Sequence, residues 1–440
     1  MLIVSPHFPP VNAPDMQRIR ASLPYFAECG WNVHVLAVAP DQTAQAIDER
    51  LLDTVPPEIP VTRVRAISAR LTSWFGLRNL GWRAWIALFR AGSRLLRTTP
   101  FDVIYFSTTQ FICLPMGRIW RSRYGVPYVI DLQDPWLNDY YSENPHAARP
   151  GGHKYLLAHT AAKLLESWTL RRCSGVIAVS ATYLEVLRRR YVWMSTVPTT
   201  TLSFGVDDRD LQVLQRRPVA QDLFGRKDGE IPIVSIGRGG DDLLKAAGML
   251  FAAVAEHHAK APAIAPRLHV YFAGTNYASA GQAQPMFETL AARHGIAGQF
   301  TERPWRLGYF ESLQCQIDAG AIVILGSDDA SYSPSKLHAV LMTGRPVLAI
   351  VLANSTVERQ LAAFPSVRKL VFKQDGRPAA WPANIVSFWN DLLSAANPAE
   401  KSTRAAQAGG HEHHARPLTH AQGRFLDQVV EANAQSPAQV

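Results

Sequence analysis

The sequence predicts an α/β protein with two doubly wound parallel sheets, one in each half of the chain. Short apolar runs of strand length alternate with helical stretches, and this alternation occurs twice. A polar stretch, Val206–Asp228, separates the two runs and is predicted to be an interdomain linker. The length of 440 residues is that of two or three domains, so each half can bury its own core.

The first run contains five predicted strands with helices between them. The strands are Leu2–Val4, Val33–Val38, Val103–Phe106, Tyr128–Asp131 and Gly175–Val179. The helices are Met16–Cys29, Leu114–Tyr124 and Lys154–Arg172. Gly30 is placed to end the first of these helices.

The second run follows the same pattern. Its strands are Ile231–Ile236, Leu268–Phe272, Ala321–Leu325, Val347–Val351 and Lys369–Phe372. Its helices are near Asp242–His258, Gln282–His294, Tyr309–Cys315 and Pro334–Thr343. The apolar spacing of Leu418–Val430 predicts one more amphipathic helix near the end of the chain. Parallel sheets bind ligands beyond the carboxyl ends of their strands, so the strand-to-helix loops are the candidate sites.

Composition excludes several classes of protein. With 47% hydrophobic and 18% charged residues, the chain is neither disordered nor collagen-like. The four cysteines lie far apart, which excludes a disulfide scaffold and a thiolate zinc site and fits a reducing compartment. No apolar run approaches the ~18–20 residues that span a bilayer. The opening segment lacks the charged region of a signal peptide, so we expect a cytoplasmic protein that is soluble or peripheral at a membrane.

The net charge of +9 is concentrated in one segment. Thr62–Arg97 contains eight arginines and no acidic residue. Aromatic residues alternate with these arginines, which argues against nucleic acid as the partner. If the second half of this segment forms a helix, its arginines fall within an arc of about 60° around the helix axis. The helix is either a basic amphipathic contact with anionic lipid or a domain helix with a solvated basic face. In the lipid interpretation the membrane-facing residues are Trp82, Arg83, Trp85, Arg90 and Arg94.

The loop after Ala321–Leu325 predicts an anion site. Ser333 is a typical N-cap residue, and Pro334 suits the first position of the helix that follows. The N–H groups at that helix start, with Ser335 and Lys336 in its first turn, would face a bound anion. The alternative is a solvated lysine that the helix tolerates.

The loop after Ile231–Ile236 is rich in glycine and contains an arginine. Gly237, Gly239 and Gly240 permit a close backbone approach, and Arg238 can bind phosphate with two hydrogen bonds. The spacing matches neither a P-loop nor a dinucleotide fingerprint. The loop is either an ordinary turn or half of a diphosphate site in which Arg238 and Lys336 neutralise the ligand.

Two acidic residues stand at the end of a strand in the first half. Asp131 and Asp134 lie in the segment Val129–Trp136. A carboxylate at a strand end can bind a sugar hydroxyl or act as a base. It can equally cap a turn, because Asp-Pro commonly begins one. The cluster His411–His414 lacks the spacing of a metal site, so no metal ligands are predicted.

Taken in order, these segments resemble the GT-B glycosyltransferases of the family-4-like group. The segments that carry the resemblance are Phe8–Pro10, Val126–Trp136, Val176–Ser180, Phe204–Asp207, Gly237–Arg238, Tyr332–Lys336 and Thr343–Pro346. The resemblance implies two Rossmann-like domains that face across a cleft, with the last helix crossing back to the first domain. The N-terminal domain would comprise 1–210 with the returning helix 417–432 and would bind the acceptor. The C-terminal domain, 225–400, would hold a nucleotide diphosphate sugar.

The resemblance also implies an activity and roles for particular residues. It implies transfer of a sugar from a nucleotide sugar, with retention of configuration and without an essential metal or other cofactor. Asp134, Arg238 and Lys336 would be catalytic. The residues expected to bind the donor are Gly237, Gly239, Gly240, Lys245, Asp328, Asp329, Ser333 and Ser335. Asn12, Asp15 and Asp131 would lie in the loops that contact the donor sugar or the acceptor.

Two departures from the family pattern bear on activity. The family often carries two glutamates around the helix that corresponds to Pro334–Thr343, and here those positions are Ser331 and Ala339. Asp328 or Asp329 would then bind the ribose. The first loop has Asn12-Ala13-Pro14 where relatives often have glycines.

The leading hypothesis is a glycosyltransferase that acts on a glycan or a lipid-linked acceptor in bacterial envelope or exopolysaccharide assembly. Its partners would be a nucleotide sugar, that acceptor and an anionic membrane surface, with no nucleic acid. The alternatives are a non-catalytic GT-B partner or carbohydrate-binding protein and a GT-B sugar-nucleotide epimerase.

Overall fold

The protein divides into two compact units in a computed structural model. The structure describes residues 1–73, 79–137, 153–225, 229–260, 268–276, 281–330, 332, 337–375, 383–394 and 413–435. Unit 1 comprises Met1–Gly205 and His414–Val440, and unit 2 comprises Val206–His413. The chain therefore leaves unit 1 once and returns to it.

Unit 1 is built on a seven-stranded parallel sheet. Its strands are β1 (Leu2–Val4), β2 (His34–Val38), β3 (Val61–Val64), β4 (Ile104–Ser107), β5 (Tyr128–Leu132), β6 (Gly175–Ala178) and β7 (Thr199–Thr201). They are ordered β3-β2-β1-β4-β5-β6-β7, and all pairs are parallel. The strand order reverses between β1 and β4, which makes their carboxyl ends the topological switch point of this sheet.

Helices cover both faces of the unit 1 sheet. They are α1 (Gln17–Phe26), α2 (Ala69–Ser73), α3 (Leu80–Thr98), α4 (Pro115–Tyr124), α5 (His153–Leu170) and α6 (Ala181–Arg190). One core includes Leu88 of α3 and Trp120 of α4, and the other includes Phe26 of α1. Because both faces are buried, the central strands are continuous apolar runs without polar alternation.

Unit 2 has a six-stranded parallel sheet of the same type. Its strands are β8 (Ile231–Ile236), β9 (Leu268–Ala273), β10 (Phe300–Arg303), β11 (Ala321–Leu325), β12 (Val347–Leu352) and β13 (Arg368–Phe372). The order β10-β9-β8-β11-β12-β13 places the switch point between β8 and β11. Its helices are α7 (Asp208–Arg216), α8 (Leu244–Lys260), α9 (Glu288–Arg293), α10 (Tyr309–Asp318), α11 (Leu337–Met342), α12 (Thr356–Gln360) and α13 (Ala383–Ser394).

The last helix, α14 (Ala415–Gln435), belongs to unit 1. Its buried apolar residues Phe425 and Leu426 join the core on the α1 side of the sheet. Gly423 lets the helix approach the turn after α1 closely, because a Cβ there would lie 2.9 Å from the Cβ of Cys29. The return of the final helix to the N-terminal half, expected from the sequence, is therefore confirmed.

The sequence analysis missed three strands and several helices, among them α6, α7, α12 and α13. β3, β7 and β10 are edge strands of their sheets, and each is only partly buried, so none has the apolar run that identifies a central strand. The stretch expected to be a linker contains α7, whose N-cap is Asp207. Among the described residues, no helix has the length and apolar character needed to cross a membrane.

Candidate functional site

The switch point of the unit 1 sheet carries a buried histidine–aspartate pair. His7 Nδ1 lies 2.9 Å from Asp15 Oδ1. Asp15 Oδ2 accepts hydrogen bonds from Thr108 Oγ1 at 3.0 Å and from the Thr109 backbone N–H at 3.2 Å. His7 follows β1 and the threonines follow β4, so the loops after two neighbouring strands build one cluster at the carboxyl edge.

The hydrogen bonds to Asp15 keep it ionised. Burial acts to raise the pKa of this carboxyl group, but the hydrogen bond and charge of His7, with the bonds from Thr109 and Thr108, outweigh burial and hold the pKa below its ordinary value. A carboxylate that is held in this way fixes the orientation of the imidazole. His7 Nε2 can then accept a proton from a ligand hydroxyl or donate one to it.

A cavity of about 920 Å³ lies beside this pair in unit 1. His7 lines it, together with residues from the loops after β2, β3 and β4 and from the start of α3. Arg83 of α3 also lines the cavity, and its Nη1 and Nη2 donate to the backbone carbonyls of Ile67 at 2.9 Å and Gln42 at 2.6 Å. A volume of this size is typical of a small-molecule site.

Asp131 does not lie at the surface, contrary to its predicted contact with a substrate. It is within β5, its side chain is fully buried, and its Oδ2 lies 2.9 Å from Arg18 Nε. Ser107 Oγ and Gln133 Nε2 donate to the same oxygen at 2.8 and 3.1 Å. Gln133 also donates to the backbone carbonyl of Asp15 at 3.0 Å. Asp131 therefore stabilises the loop that carries Asp15 and cannot touch a ligand.

The other predicted residues of unit 1 differ in their exposure. Asp134 is exposed beyond the end of β5, and nearby Trp136 stacks on Phe111 with ring centroids 5.7 Å apart. Asn12 is half-buried, and its backbone N–H donates to the carbonyl of Ala46. The sequence analysis missed His7, although a histidine three residues after the first strand of a parallel sheet stands where such sheets bind ligands.

The switch point of unit 2 brings Arg238 together with the tip of β11. Arg238 follows β8 and donates through Nη1 and Nη2 to the two carboxylate oxygens of Asp242, at 2.9 and 2.6 Å. Ser327, which follows β11, donates through Oγ to Asp242 Oδ2 at 2.6 Å. The guanidinium lies over the ring of Tyr332, 4.4 Å from its centroid. The two loops are thus joined through one carboxylate.

Both members of this ion pair are charged. The hydrogen bonds to Asp242 raise the pKa of Arg238 above its ordinary value, against the opposing effect of burial. Partial burial acts to raise the pKa of Asp242, but hydrogen bonds from Arg238 and Ser327 outweigh it and hold the pKa low. The pair is neutral overall. Arg238 would therefore bind an anion mainly through its oriented N–H groups and less through a net charge.

Two of the three glycines in this loop are required by their surroundings. The Gly239 N–H donates to the carbonyl of Thr275 at 2.7 Å, and a Cβ at Gly239 would lie 2.5 Å from that oxygen. A Cβ at Gly240 would lie 2.3 Å from Asp242 Oδ1 and would disrupt the ion pair with Arg238. A Cβ at Gly237 would have no atom within 4 Å, so packing does not explain that glycine.

Lys245 and Asp328 form a second pair at the same edge. Lys245 Nζ lies 3.1 Å from Asp328 Oδ2, and both side chains are partly exposed. Gln374 Nε2 donates to the carbonyl of Asp328 at 3.2 Å. The Asp329 N–H donates to Ser327 Oγ at 2.9 Å. A nearby carboxylate thus neutralises each of these two cations, Asp242 for Arg238 and Asp328 for Lys245.

Four predicted positions lie outside the described residues: Ser331, Ser333, Ser335 and Lys336. Of the cluster 411–414, residues 411 and 412 also lie outside them. Within the described part of the chain, no three His, Cys, Asp or Glu side chains come together in a way that could hold a metal ion.

The basic helix α3 presents a different surface from the one that was predicted. Arg83 is 7% exposed, and Trp85 is half-buried, with its Nε1 donating to the carbonyl of Ile112. Neither is part of an exposed face, because both pack toward the interior of unit 1. Trp82 and Ile86 are 49% and 52% exposed, and the exposed Arg90 and Arg94 follow them along the helix. The exposed stripe therefore contains three of the five predicted residues, with Ile86 added.

Comparison with known proteins identifies the type of enzyme. Residues 17–200 match the family model of the glycosyl transferase 4-like domain. The chain is a glycosyltransferase with the GT-B fold, and its residues 17–200 form a glycosyl transferase 4-like domain. No curated protein matches the sequence of this glycosyltransferase.

Solved structures are similar to this glycosyltransferase over nearly its whole length. HepE from Anabaena, in complex with UDP, is 14% identical, covers 97% of this chain and 99% of its own, and gives a TM-score of 0.55. Trehalose-6-phosphate synthase from E. coli, bound with UDP-2-fluoro glucose, is 11% identical, with 97% and 98% covered and a TM-score of 0.60. A Listeria monocytogenes protein assigned as a UDP-N-acetylglucosamine 2-epimerase is 12% identical, with 98% and 96% covered and a TM-score of 0.51. At these identities the likeness shows the fold.

Proposed function

We propose that the protein transfers a sugar from a nucleotide diphosphate sugar to a glycan or lipid-linked acceptor in bacterial envelope or exopolysaccharide assembly. Unit 2 binds the donor, and unit 1 binds the acceptor. The observation that carries the donor assignment is the joining of Arg238, Asp242 and Ser327 at the switch point of the unit 2 sheet. Open parallel sheets bind nucleotides at this point, and the similar HepE structure contains UDP.

The chemical task of the donor site is to stabilise the negative charge that grows on the departing diphosphate. Arg238 is held rigidly by Asp242, so its N–H groups are oriented before the ligand arrives and little reorganisation is needed. Lys245, Lys336 and the N–H groups near Ser333 and Ser335 add to this stabilisation. Asp328 or Asp329 binds the ribose in place of the glutamate that is absent at Ala339. In this proposal the oriented N–H groups take the place of a metal ion, so EDTA leaves activity unchanged.

Transfer occurs with retention of configuration. This proposal is supported by the fold, which the chain shares with a trehalose-6-phosphate synthase studied for glycosyl transfer with retention (12% identity, TM-score 0.60). In the acceptor unit, Asp134 and the loop of Asn12 and Asp15 contribute to the placement of the reacting groups. NMR of the anomeric proton of the product, compared with that of the donor, tests retention directly.

The protein acts in the cytoplasm, at the inner face of the membrane. Support comes from the exposed stripe of α3, where apolar Trp82 and Ile86 continue into basic Arg90 and Arg94. The double variant Trp82→Ser, Ile86→Ser should lose most flotation with vesicles that contain anionic lipid. Leu164→Ser, which changes an exposed apolar residue of α5, is the matched control. Equal flotation of all three proteins, or no dependence on anionic lipid, would overturn the membrane proposal.

A panel of nucleotides tests the donor site most directly. Thermal stabilisation should be seen with one of UDP, GDP, ADP and dTDP, and it should be lost in Arg238→Ala and Lys336→Ala. Arg293→Ala, an exposed arginine of α9, should retain it. If no nucleotide stabilises the protein, the donor site is refuted, and a non-catalytic carbohydrate-binding partner becomes the better account.

One alternative enzyme shares the fold, because the Listeria monocytogenes protein noted above is assigned as an epimerase. An epimerase converts its sugar nucleotide without an acceptor. A transferase releases the nucleotide diphosphate when an acceptor extract is added to the donor. Release that depends on the extract supports the transferase, whereas a new sugar nucleotide formed without extract would contradict it.

A further inference from the structure

The cavity of unit 1 has an excess of positive charge. Among the described residues that line it are three arginines, Arg65, Arg70 and Arg83, and one acid, Asp41. Asp41 lies 3.1 Å from Arg65, and both side chains are more than half exposed. A solvent-exposed ion pair of this kind is weak, so an incoming anion can replace Asp41 as the partner of Arg65.

Arg83 is the most informative of the three. Its side chain is more than nine-tenths buried, and its two hydrogen-bond acceptors are the neutral backbone carbonyls of Ile67 and Gln42. Its Nε has no hydrogen-bond partner, and within the described part of the chain no carboxylate pairs with its guanidinium. Burial of an arginine charge is unfavourable unless an anion compensates it. Because Arg83 lines the cavity, a ligand in the cavity can provide that anion.

The cavity is also lined by a group that can bind a hydroxyl of the ligand. His7, held by Asp15, lines the same cavity and can hydrogen-bond a hydroxyl group through Nε2. The volume of about 920 Å³ exceeds what a single phosphate fills and accommodates a sugar with a charged substituent. The cavity thus offers cationic groups and a separate hydroxyl-binding group.

We infer that the unit 1 cavity binds the acceptor through an anionic group, a phosphate or a carboxylate, which Arg83, Arg65 and Arg70 hold. This inference rests on the proposed function, in which unit 1 binds the acceptor. It narrows the acceptor to the acidic class: a sugar or lipid carrier with a phosphate, or a sugar acid. Phosphate oxygens and carboxylates both match the fork of donors on a guanidinium.

Calorimetric titration of the full-length protein tests the inference. The ligands are inorganic pyrophosphate, methyl glucuronide and neutral methyl glucoside, each titrated with UDP present in excess to occupy the proposed nucleotide site. We expect at least one anion to bind ten or more times more tightly than methyl glucoside. Preference for pyrophosphate indicates a phosphate-bearing acceptor, and preference for the glucuronide indicates a sugar acid.

Variants locate the binding in the cavity. Arg65→Gln and Arg70→Gln remove exposed side chains and should each weaken anion binding about fivefold. Arg83→Lys keeps the charge, loses the fork of donors and should weaken binding more than tenfold. Arg189→Gln, an exposed arginine of α6, is the control and should bind as the unaltered protein does. If Arg83→Lys proves unstable in a thermal melt, the two exposed variants still decide the matter.

The failure of this inference can be distinguished from the failure of the proposed donor site. Titration of Arg238→Gln without UDP should give the same anion affinity as the unaltered protein shows with UDP in excess. Loss of binding in Arg238→Gln alone would place the anion in unit 2 and overturn the inference. Absence of anion binding, equal affinity for methyl glucoside, or no effect of Arg65→Gln and Arg70→Gln would overturn it as well, whether or not UDP binds.

Discussion

At the scale of single residues, the charged groups at both switch points occur as pairs. His7 is paired with Asp15, and Arg238 is paired with Asp242. In each pair the carboxylate lies a few residues after its partner, just before the next helix. A hydroxyl group from the loop after the neighbouring strand also donates to that carboxylate, Thr108 to Asp15 and Ser327 to Asp242. The carboxylate thus orients its partner and ties two loops together, so the functional side chain has a fixed position before any ligand binds.

The first prediction concerns the pH dependence of stability. The pKa of Asp15 is lower in the folded protein than in the unfolded chain, so its ionisation stabilises unit 1 above pH ~4, and this contribution is lost as the pH falls further. Asp15→Asn should lower the free energy of unfolding at pH 7 by about 3 kcal/mol, and by a smaller amount at pH 3.5. Urea unfolding at the two pH values measures both effects. An equal loss at both would refute the assignment, and the exposed Asp53→Asn is the control.

The second prediction concerns the role of His7. If transfer takes place on one face of the sugar with retention, the departing diphosphate can itself accept the acceptor proton, and His7 is then needed only to position the hydroxyl. His7→Gln, whose amide can still hydrogen-bond that hydroxyl, should reduce kcat about tenfold or less, and His7→Ala should also raise the KM for the acceptor. If His7 were a general base, both variants would lose roughly 10²–10⁴-fold. Such a loss, with an inverted product, would contradict the proposed stereochemistry.

The case of Asp131 shows what the sequence does not reveal at this scale. Its position at the end of an apolar run correctly indicated a strand, and Asp134 beyond it is indeed exposed. Whether a carboxylate near a strand end faces solvent or core depends on its partner. Here that partner is Arg18 of α1, which lies far away in the sequence. Only the folded structure brings the two together.

At the scale of elements, the short loop after β8 depends on its contact with the loop after β9. Gly239 makes that contact through its N–H and has no room for a side chain. Gly239→Ala should displace Arg238 and weaken nucleotide binding about tenfold, measured by calorimetry with the nucleotide that stabilises the protein. Gly298→Ala, where a Cβ meets open space, is the matched control. Unchanged affinity in Gly239→Ala would show that the loop contact does not support the donor site.

Most of the strands could be predicted from the sequence, and the strands that were missed share a cause. Central strands such as β1 and β12 are buried on both faces, so their apolar runs identify them. β3 and β7 lie at sheet edges and are half-exposed, so basic or threonine residues occur in them and hide the apolar pattern.

The arginines of the basic segment were assigned to one face of a helix on spacing alone. The burial of Arg83 depends on backbone carbonyls from two other loops, which the spacing does not reveal.

At the scale of the whole molecule, unit 1 is completed by a helix that follows unit 2 in the chain. Phe425, Leu426 and Val429 of α14 are buried in unit 1. Truncation after His413 should cost more than about 5 kcal/mol, enough to unfold unit 1 while unit 2 remains folded. Thermal unfolding should then show one transition, which the bound nucleotide still shifts. Truncation after Gln435 is the control, and an unaltered unit 1 in the longer truncation would contradict the prediction.

This chain path also determines the order in which the protein can mature on the ribosome. The residues that complete unit 1 emerge only after every residue of Val206–His413 has been synthesised. The first domain therefore cannot finish folding before the second is made, which is the usual order for multidomain proteins. Unit 2 can reach its native state during translation, whereas the earlier-made sheet of unit 1 waits with an uncovered apolar face. That nascent face is where a chaperone would be needed.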